Sequence, residues 1–139
     1  MQRKIIIDTS VYIDIFNHNL HSEIVNPFQN VTYLAYPVLH ELWMGLKNKQ
    51  EIRALMRWRE RFFQLKRFVI PTVATLILIG DACLQLRVSG KLDPVFPKHY
   101  NDICIAALAH QIGAAVLTKN SKDFTAIRNK IDFEFESVT

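Results

Sequence analysis

The chain has 139 residues and a mass of 16.2 kDa, with 50% apolar and 22% charged residues, a mean hydropathy of +0.07 and a formal charge of +4. That length fits one domain over residues 1–139, and the apolar fraction, with only four Gly and five Pro, excludes disordered, low-complexity and collagen-like chains. Two cysteines, Cys83 and Cys104, exclude a disulfide framework and a zinc quartet; their apolar neighbours mark them as buried free thiols in a reducing cytoplasm.

The N-terminal run MQRKIII has a basic flank, but its apolar stretch ends at Asp8, too soon for a signal-peptide core. Lys4 to Ile7 reads instead as a buried parallel strand. Asp8-Thr9-Ser10 follows as a turn with N-cap chemistry, and Val11 to Phe16 opens a helix. A second helical stretch is expected from about Ser22 to Phe28, and Thr32 to Tyr36 reads as a strand. Pro37 then suits the first turn of a helix carrying Glu41, Leu42 and Leu46. The next helix, over 51–67, holds Arg53, Arg57, Arg59, Arg61, Lys66 and Arg67 against Glu51 and Glu60, so the whole net +4 is local to it. Arg53, Arg57 and Arg61 form one stripe, with Ile52, Leu55, Met56, Phe62 and Phe63 on the other side. The stripe reads either as a solvated helix face or as a footprint for a phosphate backbone.

Phe68 to Ile70 forms a short strand before Pro71, and a helix follows over about Val73–Val88, stopped by Ser89-Gly90. The apolar stretch Phe68–Gly80, broken by Pro71, is shorter than the roughly 20 residues a spanning helix needs, so no membrane segment is expected. A loop over Lys91–Tyr100, with Pro94 and Pro97, leads into a helix from about Asn101 to Ile112 that Gly113 ends. Ala114–Leu117 is the next strand, Asn120–Arg128 a short helix and Phe133–Phe135 a last strand. Strands alternating with helices imply an α/β/α sandwich on a mainly parallel sheet, with the working site beyond the strands' carboxyl ends.

Four acidic residues attract attention at those positions. Asp8 follows the first strand, and Asp123 lies shortly after a later one. Glu41 is embedded in an apolar helix start, and Asp102 opens the very apolar helix that runs to Ala109. Each has an ordinary alternative: Asp8 as a turn cap, Asp123 as a solvated loop residue, Asp102 as a charge favoured by the helix dipole. Glu41 is harder to place that way among apolar neighbours. If the four converge, pairs roughly 4–5 Å apart repel by about 3–4 kcal/mol at an effective dielectric near 20. A divalent cation removes that penalty, and all-oxygen ligation suits Mg²⁺ or Mn²⁺ rather than Zn²⁺.

The ordered set, strand–Asp8-Thr9-Ser10, Glu41 in a helix, Asn101-Asp102 before Ile-Ala-Ala, and Leu117-Thr118-x-Asn120-x-x-Asp123-Phe124, resembles the PIN-domain ribonucleases, in particular the VapC-type toxins of prokaryotic toxin–antitoxin pairs. The resemblance runs from residue 5 to residue 124. It implies a Rossmann-like fold and an endoribonuclease that hydrolyses RNA phosphodiester bonds with water activated by Mg²⁺ or Mn²⁺. Asp8, Glu41 and Asp102 match the three core acidic positions. Asp123 matches the fourth, more variable one, for which Asn120 competes. Thr118 matches a residue that orders the acidic cluster, and Thr9 and Ser10 match the turn beside the first acid. Implied partners are RNA (tRNA, rRNA or mRNA), a cognate antitoxin and a second copy of the chain. Trp43, Trp58, Phe62 and Phe63 exceed what one small core needs and are candidates for the dimer surface. The alternative is a PIN fold that binds RNA or antitoxin without being a toxin, or while cleaving weakly.

Other polar residues have simpler readings. His40 and His99 are expected as supporting or loop residues rather than as a general base. Asp81 could be a fifth acid but is expected on a helix face, bonded nearby or paired with an arginine such as Arg87. Asp14 does not form the paired-acid spacing of a dehalogenase-type phosphatase.

Overall fold

The computed structural model describes residues 2–18 and 30–139; the helix expected over Ser22–Phe28 lies outside them. Five strands form one parallel sheet: β1 (Arg3–Ile7), β2 (Asn30–Ala35), β3 (Phe68–Val69), β4 (Ala115–Thr118) and β5 (Glu134–Ser137), in the order β3-β2-β1-β4-β5. The Ile5-Ile6-Ile7 run makes β1 the central strand, since a parallel strand covered on both faces has no polar side to show. Its partners are in register, with Ile5 opposite Ala115 and Ile7 opposite Leu117.

The helices are α1 (Thr9–His18), α2 (Tyr36–Met44), α3 (Lys49–Gln64), α4 (Val73–Ser89), α5 (Pro97–Ile112) and α6 (Ser121–Arg128). Right-handed crossovers in this strand order place α1 and the β2–β3 connection on one face, and the β3–β4 and β4–β5 connections on the other. α5 packs against β1 and β4 on its inner side and against α4 and α6 around it. Every residue from Asp102 to Ala109 is therefore buried, and alanines at 106, 107 and 109 let the neighbours approach. Gly90 and Gly113 end α4 and α5 at φ of 75° and 69°, a left-handed cap that favours glycine.

Several boundaries differ from the sequence reading. α1 starts at Thr9, with the Asp8 carbonyl accepting from the amides of Val11 and Tyr12, so Asp8 is the cap itself. α3 ends at Gln64, three residues early, where Leu65 caps it. The largest shift is at α5, which begins at Pro97 rather than Asn101; proline in the first turn gives up no helical hydrogen bond. The expected loop is thus shorter, and Lys98 and His99 belong to a helix. Both cysteines are free, Cys104 buried and Cys83 half-buried. Among the described residues no helix is long and apolar enough to cross a membrane.

Candidate metal-binding active site

The strand order reverses between β1 and β4, and the carboxyl ends of these two strands carry the first group of polar residues. Asp8 is fully buried there. Its amide donates to the Leu117 carbonyl at 2.9 Å, extending the pairing of the strands by one bond. Its Oδ1 accepts from the Thr9 amide at 2.9 Å, and its Oδ2 accepts from Ser10 Oγ and Thr118 Oγ1, each at 2.8 Å. Thr118 Oγ1 in turn accepts from the Asn120 amide at 2.9 Å. One buried hydroxyl thus orients the Asp8 carboxylate and caps the β4–α6 turn. Thr118→Val leaves that amide without its acceptor and Asp8 with one donor fewer, so a loss of about 1–3 kcal/mol is expected in urea denaturation.

Glu41, on α2, accepts from Thr9 Oγ1 at 3.0 Å through Oε1. Partial burial lifts its pKa above the ordinary carboxylate value, and the Asp8 charge adds to the shift, against the pull of Lys98 and the Thr9 bond. Asp102, on α5, is fully buried. It accepts from Lys98 Nζ at 3.2 Å and from Asn120 Nδ2 at 3.1 Å. Burial pushes its pKa up to about 7, helped by the charges of Asp8 and Asp123 and opposed by Lys98. Asp102 stands in the second turn of α5, so a helix-dipole charge in the opening turn is not its role. Asn120 Nδ2 also reaches Asp123 Oδ2 at 2.8 Å, so the two candidates for the fourth position are bonded to each other.

Lys98 lies among these acids, its Nζ 4.0 Å from Asp8 Oδ2 besides the bond to Asp102. Burial alone would lower its pKa, but the attraction of Asp8, Asp102 and Glu41 outweighs that and raises it. The sequence reading missed Lys98; its signal was the four-residue spacing to Asp102, visible only once the helix starts at Pro97. A second missed pair braces the site: Lys119 Nζ donates to Asp14 Oδ2 at 2.6 Å, and its amide donates to Ser10 Oγ at 3.2 Å.

Among the described residues no three His, Cys, Asp or Glu side chains form a group already arranged to hold a metal ion. The donor set is nonetheless carboxylate oxygen throughout, two of its members are fully buried, and Lys98 supplies compensating positive charge. Those donors fit a hard divalent cation such as Mg²⁺ or Mn²⁺.

The other candidates fall elsewhere. Arg53, Arg57 and Arg61 are on α3, and all three are exposed. A groove of about 480 Å³ runs from Thr9 and Glu41 to Leu55 and Trp58, and by helical geometry Arg53 and Arg57 lie on the side of α3 away from Leu55. Trp58 packs edge-on against Tyr12, Phe16 and Phe62, and both Trp58 and Phe62 are partly buried against the core. Trp43 is exposed beneath the Arg59 guanidinium, and Phe63 meets Phe68. Asp81 is exposed and accepts from Gln85, away from the cluster. His40 packs on Tyr36, whereas His99 Nε2 comes within 3.7 Å of Asp123 Oδ2.

The sequence profile of the PIN domain matches residues 5–130. No curated protein matches the chain. Among solved structures, VapBC-1 from nontypeable Haemophilus influenzae superposes with a TM-score of 0.75 at 22% identity, covering 96% of this chain and 97% of that one. VapBC2 from Rickettsia felis, bound to a DNA fragment from its promoter, gives 0.71 at 21% identity, with 98% and 99% covered. FitAcB from Neisseria gonorrhoeae gives 0.69 at 20% identity, with 94% and 95% covered. At these identities the likeness is one of fold.

Proposed function

The chain belongs to the PIN-domain family, and on that premise we propose that it is a divalent-metal-dependent endoribonuclease, the toxin of a toxin–antitoxin pair. The observation that carries this reading is the pair of fully buried carboxylates, Asp8 and Asp102, set beside Glu41 and Asp123 where the strand order reverses. Burying two acids that face the same lysine is costly unless positive charge, from Lys98 or from a metal ion, shares the site.

Asp8, Glu41, Asp102 and Asp123 would hold Mg²⁺ or Mn²⁺. When bound, such an ion lowers the pKa of a water and offsets charge that develops on a phosphoryl oxygen. The chain's own groups prepare that chemistry. Ser10, Thr118 and the Thr9 amide fix the Asp8 carboxylate, while Thr9 Oγ1 fixes Glu41. Asn120 holds Asp102 and Asp123 at a set spacing. Attack by water with departure of O3′ leaves a 5′-phosphate and a 3′-hydroxyl. Mapping the ends of RNA fragments tests this: cyclic phosphate termini would show attack by the RNA's own 2′-hydroxyl and contradict the proposal.

The VapBC structural relatives belong to a family of toxin–antitoxin systems, which supports a cognate antitoxin as partner. The groove between Glu41 and Trp58 offers that partner a partly apolar seat next to the acids. The RNA would be tRNA, rRNA or mRNA. If the arginine stripe tracks its backbone, replacing Arg53, Arg57 and Arg61 by Gln should weaken binding and lower the salt slope by about 0.7 for each phosphate no longer neutralised. An unchanged slope would make the stripe a solvated or antitoxin-facing surface.

Self-association belongs on α4. Val73, Leu76, Ile77, Leu84 and Val88 are exposed along it, and Gly80, with no neighbouring atom near its absent Cβ, leaves room at the centre for another backbone. A stripe arranged about one central position suits the self-complementary contact of a two-fold dimer. Ile77, 68% exposed, can be changed without loss to the core. Ile77→Glu should give a folded monomer in light scattering where the natural chain gives a dimer; a natural chain that is already monomeric would contradict the assignment.

One observation favours the alternative of a weakly cleaving, RNA- or antitoxin-binding protein: Lys98 already pairs with Asp8 and Asp102, so the cluster has positive charge without an ion.

A further inference from the structure

Lys98 is set by two features of the sequence. Pro97 fixes the start of α5, and one helical turn then separates Lys98 from Asp102. The two carboxylates it faces, Asp8 and Asp102, have side chains 0% exposed, whereas the lysine side chain is 46% exposed. Its ammonium can therefore leave the acids for solvent by side-chain rotation, while the acids cannot follow. Among the described residues the other nearby cations do not share this position. Lys119 is engaged with Asp14, and His99 meets Asp123 at the far end of the cluster.

Resting on the metal-dependent reading above, we propose that Lys98 is a tethered counter-ion that balances Asp8 and Asp102 in the metal-free protein and must be expelled for a divalent ion to enter. Lys98 then sets the metal affinity by competition from within the chain. A site that is open only a fraction of the time binds its ligand with affinity reduced by that fraction. If the ammonium occupies the cluster about nine-tenths of the time, the metal binds roughly tenfold more weakly than the carboxylates alone would allow. The same contact keeps the acids together before the metal arrives. Lys98 is thus a positioning residue for the site, with opposite effects on metal-free stability and on metal affinity.

The test is calorimetric titration of MnCl₂ into metal-stripped, full-length protein, with thermal melting of the same samples. Lys98→Met keeps most of the side-chain volume and removes the charge. It should bind Mn²⁺ roughly tenfold more tightly than the natural chain. It should also melt at a lower temperature without metal, and the gap should close at saturating Mn²⁺. Lys98→Arg keeps the charge and should stay near the natural affinity. If Lys98→Met does not fold without metal, Lys98→Gln, which retains a donor to Asp102, takes its place with the same expected tightening. Equal or weaker Mn²⁺ binding by the folded, uncharged variant overturns the counter-ion role and leaves the metal reading standing. Absence of Mn²⁺ binding by both the natural chain and Lys98→Met overturns both.

Discussion

Asp8→Asn is expected to lower the rate of RNA cleavage by roughly a thousandfold, about 4 kcal/mol of barrier at 1.36 kcal/mol per decade. The geometry makes this the most damaging conservative change in the cluster. Both oxygens of Asp8 accept hydrogen bonds that aim the carboxylate, and its charge faces the Lys98 ammonium. Asparagine keeps the shape, loses the charge and turns an amide toward donors on one side. The Ser10 and Thr118 hydroxyls can rotate to accept from that amide, so the variant should still fold. Melting separates the two effects. In the natural chain Mn²⁺ at a hundred times its dissociation constant should add about 2.7 kcal/mol of stability. In Asp8→Asn most of that gain should vanish. A variant that cleaves at the natural rate in Mg²⁺ would remove Asp8 from the site.

The metal-free protein is expected to lose stability as pH rises from about 4 to about 7. The cause is Asp102, whose folded-state pKa is about 7 against an ordinary value near 3.8. Between those values the folded chain holds a proton that the unfolded chain has released. Folding is favoured at the acid end of that window, and the advantage is gone above about pH 7. A folded-state pKa of about 7 corresponds to something on the order of 4 kcal/mol. Glu41 is shifted in the same direction and adds to the trend. Urea denaturation in EDTA at several pH values measures it, and Asp102→Asn should flatten the fall. Saturating Mn²⁺ should reverse it, since a bound cation favours the charged carboxylate. An identical fall in Asp102→Asn would assign the effect to other groups.

Much of this arrangement was legible in the residues. Ile5-Ile6-Ile7 followed by Asp8, and Leu117-Thr118 followed by Asn120 and Asp123, placed two strand ends with their polar residues, and the parallel sheet brings those ends together. What could not be read depended on contacts between elements. Pro97 reads as a loop residue next to Pro94, so the first turn of α5, and with it Lys98, was hidden. Trp58 looks surplus when counted along one helix, because the rings it packs on, Tyr12 and Phe16, come from another, and Phe62 packs on Trp58 in turn. α4 is apolar nearly all round, so no periodicity distinguishes its buried residues Ile79, Ala82 and Leu86 from its exposed ones. Asp102 could be a dipole charge or a buried acid, and the position of the helix start decides between them.

The measurement that bears most directly on the central claim is cleavage of RNA by the purified, antitoxin-free chain under control of divalent ion. RNA incubated with the protein and Mg²⁺ or Mn²⁺ should be cut at discrete sites. Cutting should stop in EDTA and resume when the ion is restored in excess. Fragments that form equally well in EDTA, or intact RNA with either ion and a folded, monodisperse protein, would contradict a metal-dependent ribonuclease built on Asp8, Glu41, Asp102 and Asp123.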